Sequence, residues 1–416
     1  MLARLRALHP FQTPDAKRLA VLFGIVYFAQ GMTYLPDQTV TVVLKERGLS
    51  ASQVAGFHWI VTIPWLIKPV YGLVSDFLPI FGSRRRSYFF LTSGTAAAAA
   101  ITLALLPLHP YWTLAALVTL FWLGIGFTDV LTDALMVENG KPRGLTGAFQ
   151  SVQWGSINAA TLVVGIGGGW LAERRALGGA YGLVAGFPII ALLMAAFVVR
   201  EARARGDRAA FLRTWAAIRE ALRERDVWIV TGFILFWTFS PSFGPAFLYY
   251  QTDVLHFSQQ FIGFLASLGA GASIIGAFLY APISRAWPLK RVINTSIGIA
   301  VLSTLAYLVY LGPASAIAIT VIFGCVGMVT QLSFLDLAAK SCPLRVEATF
   351  FALLMSIYNL GVKSSEYVGA TLYEMLGYMP LVLISAGVTA LTWLLVPLVR
   401  IDRIEAKAKQ AQVPAS

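Results

Sequence analysis

Apolar runs of about 20 residues or more recur twelve times along the chain, separated by short polar punctuation. They cover roughly 19–44, 52–75, 88–107, 111–138, 145–172, 180–199, 227–251, 259–284, 292–311, 315–338, 348–373 and 378–399. Each is long enough to cross a hydrocarbon core as a helix. Only helices and closed barrels satisfy the backbone in lipid. The runs are continuous, without the two-residue alternation of a barrel strand, so they predict helices. The first run is too long and too polar at its centre for a signal-peptide core and lacks a small-residue cleavage site, so it is expected to stay attached.

Composition agrees. The 416 residues are 57% hydrophobic and 12% charged, half the charge of an ordinary soluble domain. The net charge of +12 raises the question of nucleic acid, and its distribution answers it. With both termini cytoplasmic, 26 of the 32 Lys and Arg fall in cytoplasmic segments. Lys45, Arg47, Arg174 and Arg175 fall outside, and Lys68 and Lys363 fall within spans. That bias is an orientation signal, not a nucleic-acid footprint. Cys325 and Cys342 are placed in a helix and at the cytoplasmic face, so no disulfide framework is expected.

The chain also repeats. At an offset of 209, YGLVS (Tyr71–Ser75) lies on YAPIS (Tyr280–Ser284), and Pro36 on Pro245. At 201, Gly126 lies on Gly327, Pro142 on Pro343, Asn158 on Asn359, Gly168 on Gly369 and Glu173 on Glu374. The order and near-constant offset predict a six-helix half over 1–199, a cytoplasmic linker over 200–226 and a second half over 227–416. Two parallel six-helix halves about an axis along the membrane normal is the major facilitator architecture. In the linker, Phe211, Leu212, Trp215, Ile218 and Leu222 are spaced for one helical face. The linker is either a regulatory, lipid-sensing helix or a tether resting that face on membrane or bundle.

The most charge-dense stretch is KPVYGLVSDFLPIFGSRRRSY, Lys68–Tyr88. Gly72, Asp76 and the run Arg84, Arg85, Arg86 resemble the cytoplasmic helix 2–3 signature of major facilitator transporters. Gly72 permits close helix approach, Asp76 meets donors of the opposite half, and the arginines hold the loop in the cytoplasm. The alternative is a plain positive-inside anchor. In the second half Arg285 replaces the aspartate. The longer stretch PWLIKPVYGLVSDFLPIFGSRRRSY resembles the folate–biopterin transporter family. DVLTDALMVE (Asp129–Glu138), FWTFSPSFGPAFLYYQ (Phe236–Gln251), FSQQFIGFL and CPLRVEATFFALLMSIYNLG (Cys342–Gly361) resemble its fourth, seventh, eighth and eleventh helices, in order. SPSFGP is richer in proline than the family pattern, and Lys363 has no counterpart in it. The resemblance implies a pterin or folate as substrate.

Ionisable groups inside spans are costly and usually line a polar path. Asp129 and Asp133 are four apart on one helical face, about 6 Å along the axis. Both would not ionise readily together without a cation. Lys68 lies at similar depth and can pair with either, freeing the other carboxylate for a proton. A static bridge between helices 2 and 4 is the plainer alternative. Lys363 and Glu366 are three apart and either pair with each other or leave Lys363 for an anionic substrate. Asp37, one turn beyond Tyr34, is an outer-gate residue or reaches the interface. Asp336 and Glu347 bracket an inner loop as latch partners. Gln30, Gln153 and Asn359 are amides that line a cavity or join helices. Trp237 and Tyr249 give helix 7 an aromatic face, of which one or two rings meet substrate.

The chain has no zinc spacing, no G-x-S-x-G and no Walker loop, and GIGGGW (Gly165–Trp170) is a packing stripe. These patterns predict no enzyme activity, no cofactor and no metal. The expectation is an all-α, twelve-helix secondary transporter of the inner or plasma membrane, monomeric, both termini cytoplasmic. It takes a folate or pterin and protons, amid membrane lipid, by alternating access. The rivals are transport of another amphipathic organic anion, and a non-transporting receptor or scaffold on the same fold.

Overall fold

Among the described residues each expected span is largely helical, and the first, second and seventh spans break next to prolines. The computed structural model describes residues 11–106, 110–140, 143, 145–199, 201, 203, 206–342 and 347–412. The extreme termini, Pro142 and Pro343 lie outside them.

The first span starts as α1 (Pro14–Met32), capped by Thr13, whose hydroxyl accepts from Ala16 N at 3.2 Å. It breaks at residues 33–36 and resumes as α2 (Asp37–Glu46). Pro36 lacks an N–H and disfavours helix in the residue before it. The second span has three pieces, α3 (Ala51–Val61), α4 (Ile63–Leu66) and α5 (Lys68–Phe77), with Pro64 and Pro69 at the breaks. Next come α6 (Arg86–Leu105), α7 (Tyr111–Gly140), α8 (Thr146–Glu173), α9 (Leu177–Val184) and α10 (Gly186–Phe197). The linker helix is α11 (Arg208–Ala221).

The seventh span is α12 (Arg225–Thr238), a break, α13 (Gly244–Tyr249) and a π-helical turn at Tyr250–Val254. Then follow α14 (Gln259–Ala286), α15 (Leu289–Ala306), α16 (Pro313–Lys340), α17 (Glu347–Leu376), α18 (Tyr378–Leu391), α19 (Val396–Val399) and α20 (Ile401–Gln412). Among the described residues there is no β-strand. Among them, too, eight helical stretches, α1 with α2 and α9 with α10 each counted as one, are long and apolar enough to cross a membrane, or up to nine if a bent pair counts as one span.

The helices form two compact units, residues 1–43 with 63–208, and residues 44–62 with 209–416. The first is centred on Phe23, Tyr27, Phe89, Leu131 and Phe149, all essentially inaccessible. The second has two apolar centres. One holds Phe233, Ile293 and Phe334, the other Tyr250, Tyr310 and Tyr378.

Residues 44–62, early in the chain, thus belong to the later unit. Ala51 and Ala55 pack there with Ala246 and Ala370. Glu374 accepts from Ser52 N at 2.7 Å and Ser52 Oγ at 2.8 Å, capping the start of α3. Lys45 pairs with Asp253 and lies over the Tyr249 ring at 4.6 Å. Tyr249 Oη donates to Leu49 O at 2.5 Å.

The break in the seventh span is cross-braced rather than loose. Ser240 Oγ donates to Ser385 O at 2.9 Å, Ser385 Oγ donates to Pro241 O, and Ser242 N donates to Ser365 O at 3.3 Å. Backbone groups released by proline are thereby satisfied without water, as lipid requires. The proline-rich SPSFGP is a fixed elbow of this unit.

Small residues set the closest helix approaches. A Cβ on Gly276 of α14 would run into the Cys325 carbonyl of α16. We expect Gly276→Val to lower the thermal midpoint of the purified protein, at an overpacking cost of about 1–3 kcal/mol. An unchanged midpoint would contradict this approach of α14 and α16.

Candidate functional site

Lys68 is the first residue of α5, where a helix dipole disfavours a cation. Local preference therefore does not explain it, but α7 does. Asp129, only 4% exposed in mid-helix, forms an ion pair with Lys68. Gln30 Nε2 donates to the other Asp129 oxygen at 2.9 Å. One turn on, Asp133 accepts from the Tyr27 hydroxyl and from Gln153 Nε2 at 3.1 Å. Helices α1, α5, α7 and α8 thus each supply polar groups to one membrane-embedded cluster.

The cluster has two branches. Asp129 holds the cation and an amide, and Asp133 holds a phenol and an amide. One ammonium faces two carboxylates, so one added proton makes the set neutral.

Aromatic rings border the Asp129 branch. The Lys68 ammonium lies 5.1 Å from the Trp65 ring centre. Trp65 stands 5.9 Å from Trp122, which in turn meets Tyr34 at 4.8 Å. Tyr34, in the break between α1 and α2, keeps 40% of its surface exposed. Asp37 opens α2, within electrostatic reach of Tyr34 and Tyr181. A broken helix, paired charges and aromatic faces converge here, the kind of polar feature inside a span that is costly unless it serves a path or a bridge.

The comparisons agree. Residues 30–398 match the BT1 family. The chain is 31% identical over 388 residues to a folate-biopterin transporter of Synechocystis sp., covering 88% of this chain and 76% of that one. The chain belongs to the BT1 family.

A probable folate-biopterin transporter 2 of Arabidopsis thaliana is 28% identical, over 76% of this chain and 67% of its own. In fold, the BT1 chain is similar to the crystal structure of a mutant of the nucleoside transporter NupG. The TM-score is 0.71 at 12% identity, with 92% of this chain and 100% of that one covered. The BT1 chain is a multi-pass, major facilitator-type membrane transporter and not an enzyme.

Trp237, Tyr249, Asn359, Lys363 and Glu366 belong to the second unit. Trp237 stacks on Phe334 with centroids 3.9 Å apart, inside the second unit's core. Tyr249 is engaged by Lys45 and Leu49. Lys363 donates to Glu366 at 2.8 Å along α17, so the pair satisfies itself. His58 lies in electrostatic reach of Lys363, and Trp59 Nε1 donates to Ser364 Oγ at 3.2 Å. Asn359 is half-buried on α17. Asp336 pairs with Lys340 at 2.6 Å, one turn away.

The helix 2–3 stretch is knitted within the first unit. Arg85 is buried and joins Asp76, Glu138 at 2.6 Å and Ser75 Oγ at 2.7 Å. Asp76 therefore finds its partner in its own unit. Gly72 has room, since its nearest neighbour is Val130 Cγ1 at 3.9 Å from a Cβ position, so close approach does not demand glycine there. Glu201 accepts from Ser83 Oγ at 2.5 Å and from the amides of Arg84, Arg85 and Arg86 at 2.8–3.2 Å. Partial burial opposes its charge, but these donors outweigh it and hold its carboxyl below the usual range. Arg84 and Arg86 are more open to solvent than Arg85, and Arg86 reaches Ala196 O at 2.9 Å.

Tyr27, Trp65 and Trp122 were not foreseen in these roles. Tyr27, Gln30 and Tyr34 do stand at i, i+3 and i+7, one helical face, and that was the available signal.

Removing one member of a buried ion pair strands the other charge, at about 3–5 kcal/mol. Lys68→Met should destabilise the purified protein on that scale, and Lys68→Met/Asp129→Leu should recover most of the loss. Additive losses would show that the two groups are not coupled.

Proposed function

We propose that the protein moves a pterin or folate across the membrane by alternating access, driven by protons. The observation that carries this reading is the Asp129–Lys68 pair beside aromatic faces, with a second carboxylate, Asp133, one turn away. A 2-amino-4-oxopteridine presents adjacent N–H donors that suit an ionised carboxylate as a bidentate partner. Asp129 supplies that carboxylate, with Gln30 and Lys68 exchanging their bonds as the ring arrives. The flat ring stacks against Trp65, Trp122 or Tyr34. Asp133 takes the proton, which makes the cluster neutral for its passage.

The names of the BT1 relatives support the substrate class. The self-paired Lys363 and Glu366 support recognition through the ring rather than through a glutamate tail. The halves 1–199 and 227–416 are the moving bodies, with Gly72, Asp76 and Arg84–Arg86 at the inner gate. Both termini and the linker face the cytoplasm, supported by the charge bias. The chain works as a monomer in the inner or plasma membrane, with no bound cofactor.

Proteoliposomes test this. A pH gradient of one unit, with one proton per cycle, supports about tenfold accumulation of labelled pterin. Asp133→Asn should abolish accumulation yet keep counterflow exchange, and Asp129→Asn should lose both. Wild-type-like accumulation by Asp133→Asn would overturn the proton assignment. No uptake or stabilisation with any pterin or folate would overturn the substrate.

A further inference from the structure

The apolar stripe of the linker helix α11 is split, with Ile218 buried and Phe211 half-buried against the protein while Leu212 and Trp215 face outward. Ala221 is buried beside Ile218, and Ala210, Thr214 and Ala217 are half-buried like Phe211, so the inner side joins two large apolar residues to small ones. Leu212 and Trp215, both large and apolar, remain 54% and 51% exposed. At 100° per residue, Trp215, Arg208, Arg219 and Leu212 fall within about 60° of arc on that outer side. Arg223 follows in the turn after the helix, also exposed. No acidic residue lies on this arc, since Glu220 falls about 80° beyond it, beside Arg213.

We propose that this face of α11 docks on anionic phospholipid of the bilayer that holds the protein. Interfacial helices pair bulky apolar side chains with arginines at headgroup depth. The face has both, and its charge complements an anionic surface. Its position agrees, because only Leu222–Glu224 separate α11 from α12, the start of a spanning helix. Trp228 on the first turn of α12 is 58% exposed, and its Nε1 donates to Leu222 O at 2.7 Å, tying the two helix ends together. The exposed tryptophans of α11 and of α12 thus belong to one tethered corner. Lipid charge therefore acts on the link between the two halves.

A basic residue near an anionic surface is worth about fivefold in binding. The test uses the full chain with Cys325→Ser and Cys342→Ser and a fluorophore on Ala216→Cys, at the rim of the face. It is reconstituted in phosphatidylcholine vesicles with or without phosphatidylglycerol, and quenched with neutral acrylamide. Quenching should fall severalfold when phosphatidylglycerol is present. The fall should vanish in molar salt and in Arg208→Gln/Arg219→Gln/Arg223→Gln. Equal strong quenching in both lipids would show a face that meets water or another protein, and overturn the proposal. Equal weak quenching would show apolar burial without charge recognition, and overturn it as well.

Discussion

The ion pair between Lys68 and Asp129 is the constraint around which the first unit is organised. Neither charge is tolerable alone in a lipid-embedded helix. The lysine also stands at a helix start, where the dipole opposes it. Pairing compensates both costs, but only if the second span breaks at Ile67 and carries Lys68 to mid-depth against α7. The prolines that divide the second span thus place the cation. Gln30 and Gln153 complete the arrangement, each donating to one carboxylate. The unit thereby holds two carboxylates with distinct partners on adjacent turns of one helix.

The second unit solves a related problem differently. Its broken span is braced by serines from α17 and α18, and glycines 361 and 369 on α17 leave no room for a side chain against it. Its charged pair, Lys363 with Glu366, closes on itself within one helix. The repeat-related first and seventh spans are both interrupted, but the first meets the Lys68–Asp129–Asp133 cluster, whereas the seventh meets the single pair Lys45–Asp253 among the described residues. A symmetry of fold thus coexists with an asymmetry of chemistry.

The spans were legible because lipid imposes length and apolarity on every crossing helix. SPSFGP was legible as an anomaly and the break at Pro36 was not, and whether a break flexes or is braced depends on hydroxyl partners far away in sequence, such as Ser385. The sequence left Lys68 a choice of Asp129 or Asp133, because both lie on one face, and only packing selects between them. Tyr27 escaped notice because an aromatic in a membrane helix normally packs, and nothing local reveals that its hydroxyl meets Asp133. The α11 face was visible as a stripe, but its division into an inward Phe211 and Ile218 and an outward Leu212 and Trp215 depends on packing that the spacing does not reveal.

If the Lys68–Asp129 pair recognises the substrate and is not merely a brace, its loss must cost binding even where the fold survives. Calorimetric titration of a pterin into the purified Lys68→Met/Asp129→Leu protein tests this most directly. A neutral replacement of a buried pair preserves the fold, so a folded variant with no detectable pterin binding is the predicted result. A folded variant that binds pterin as tightly as the parent would contradict the account.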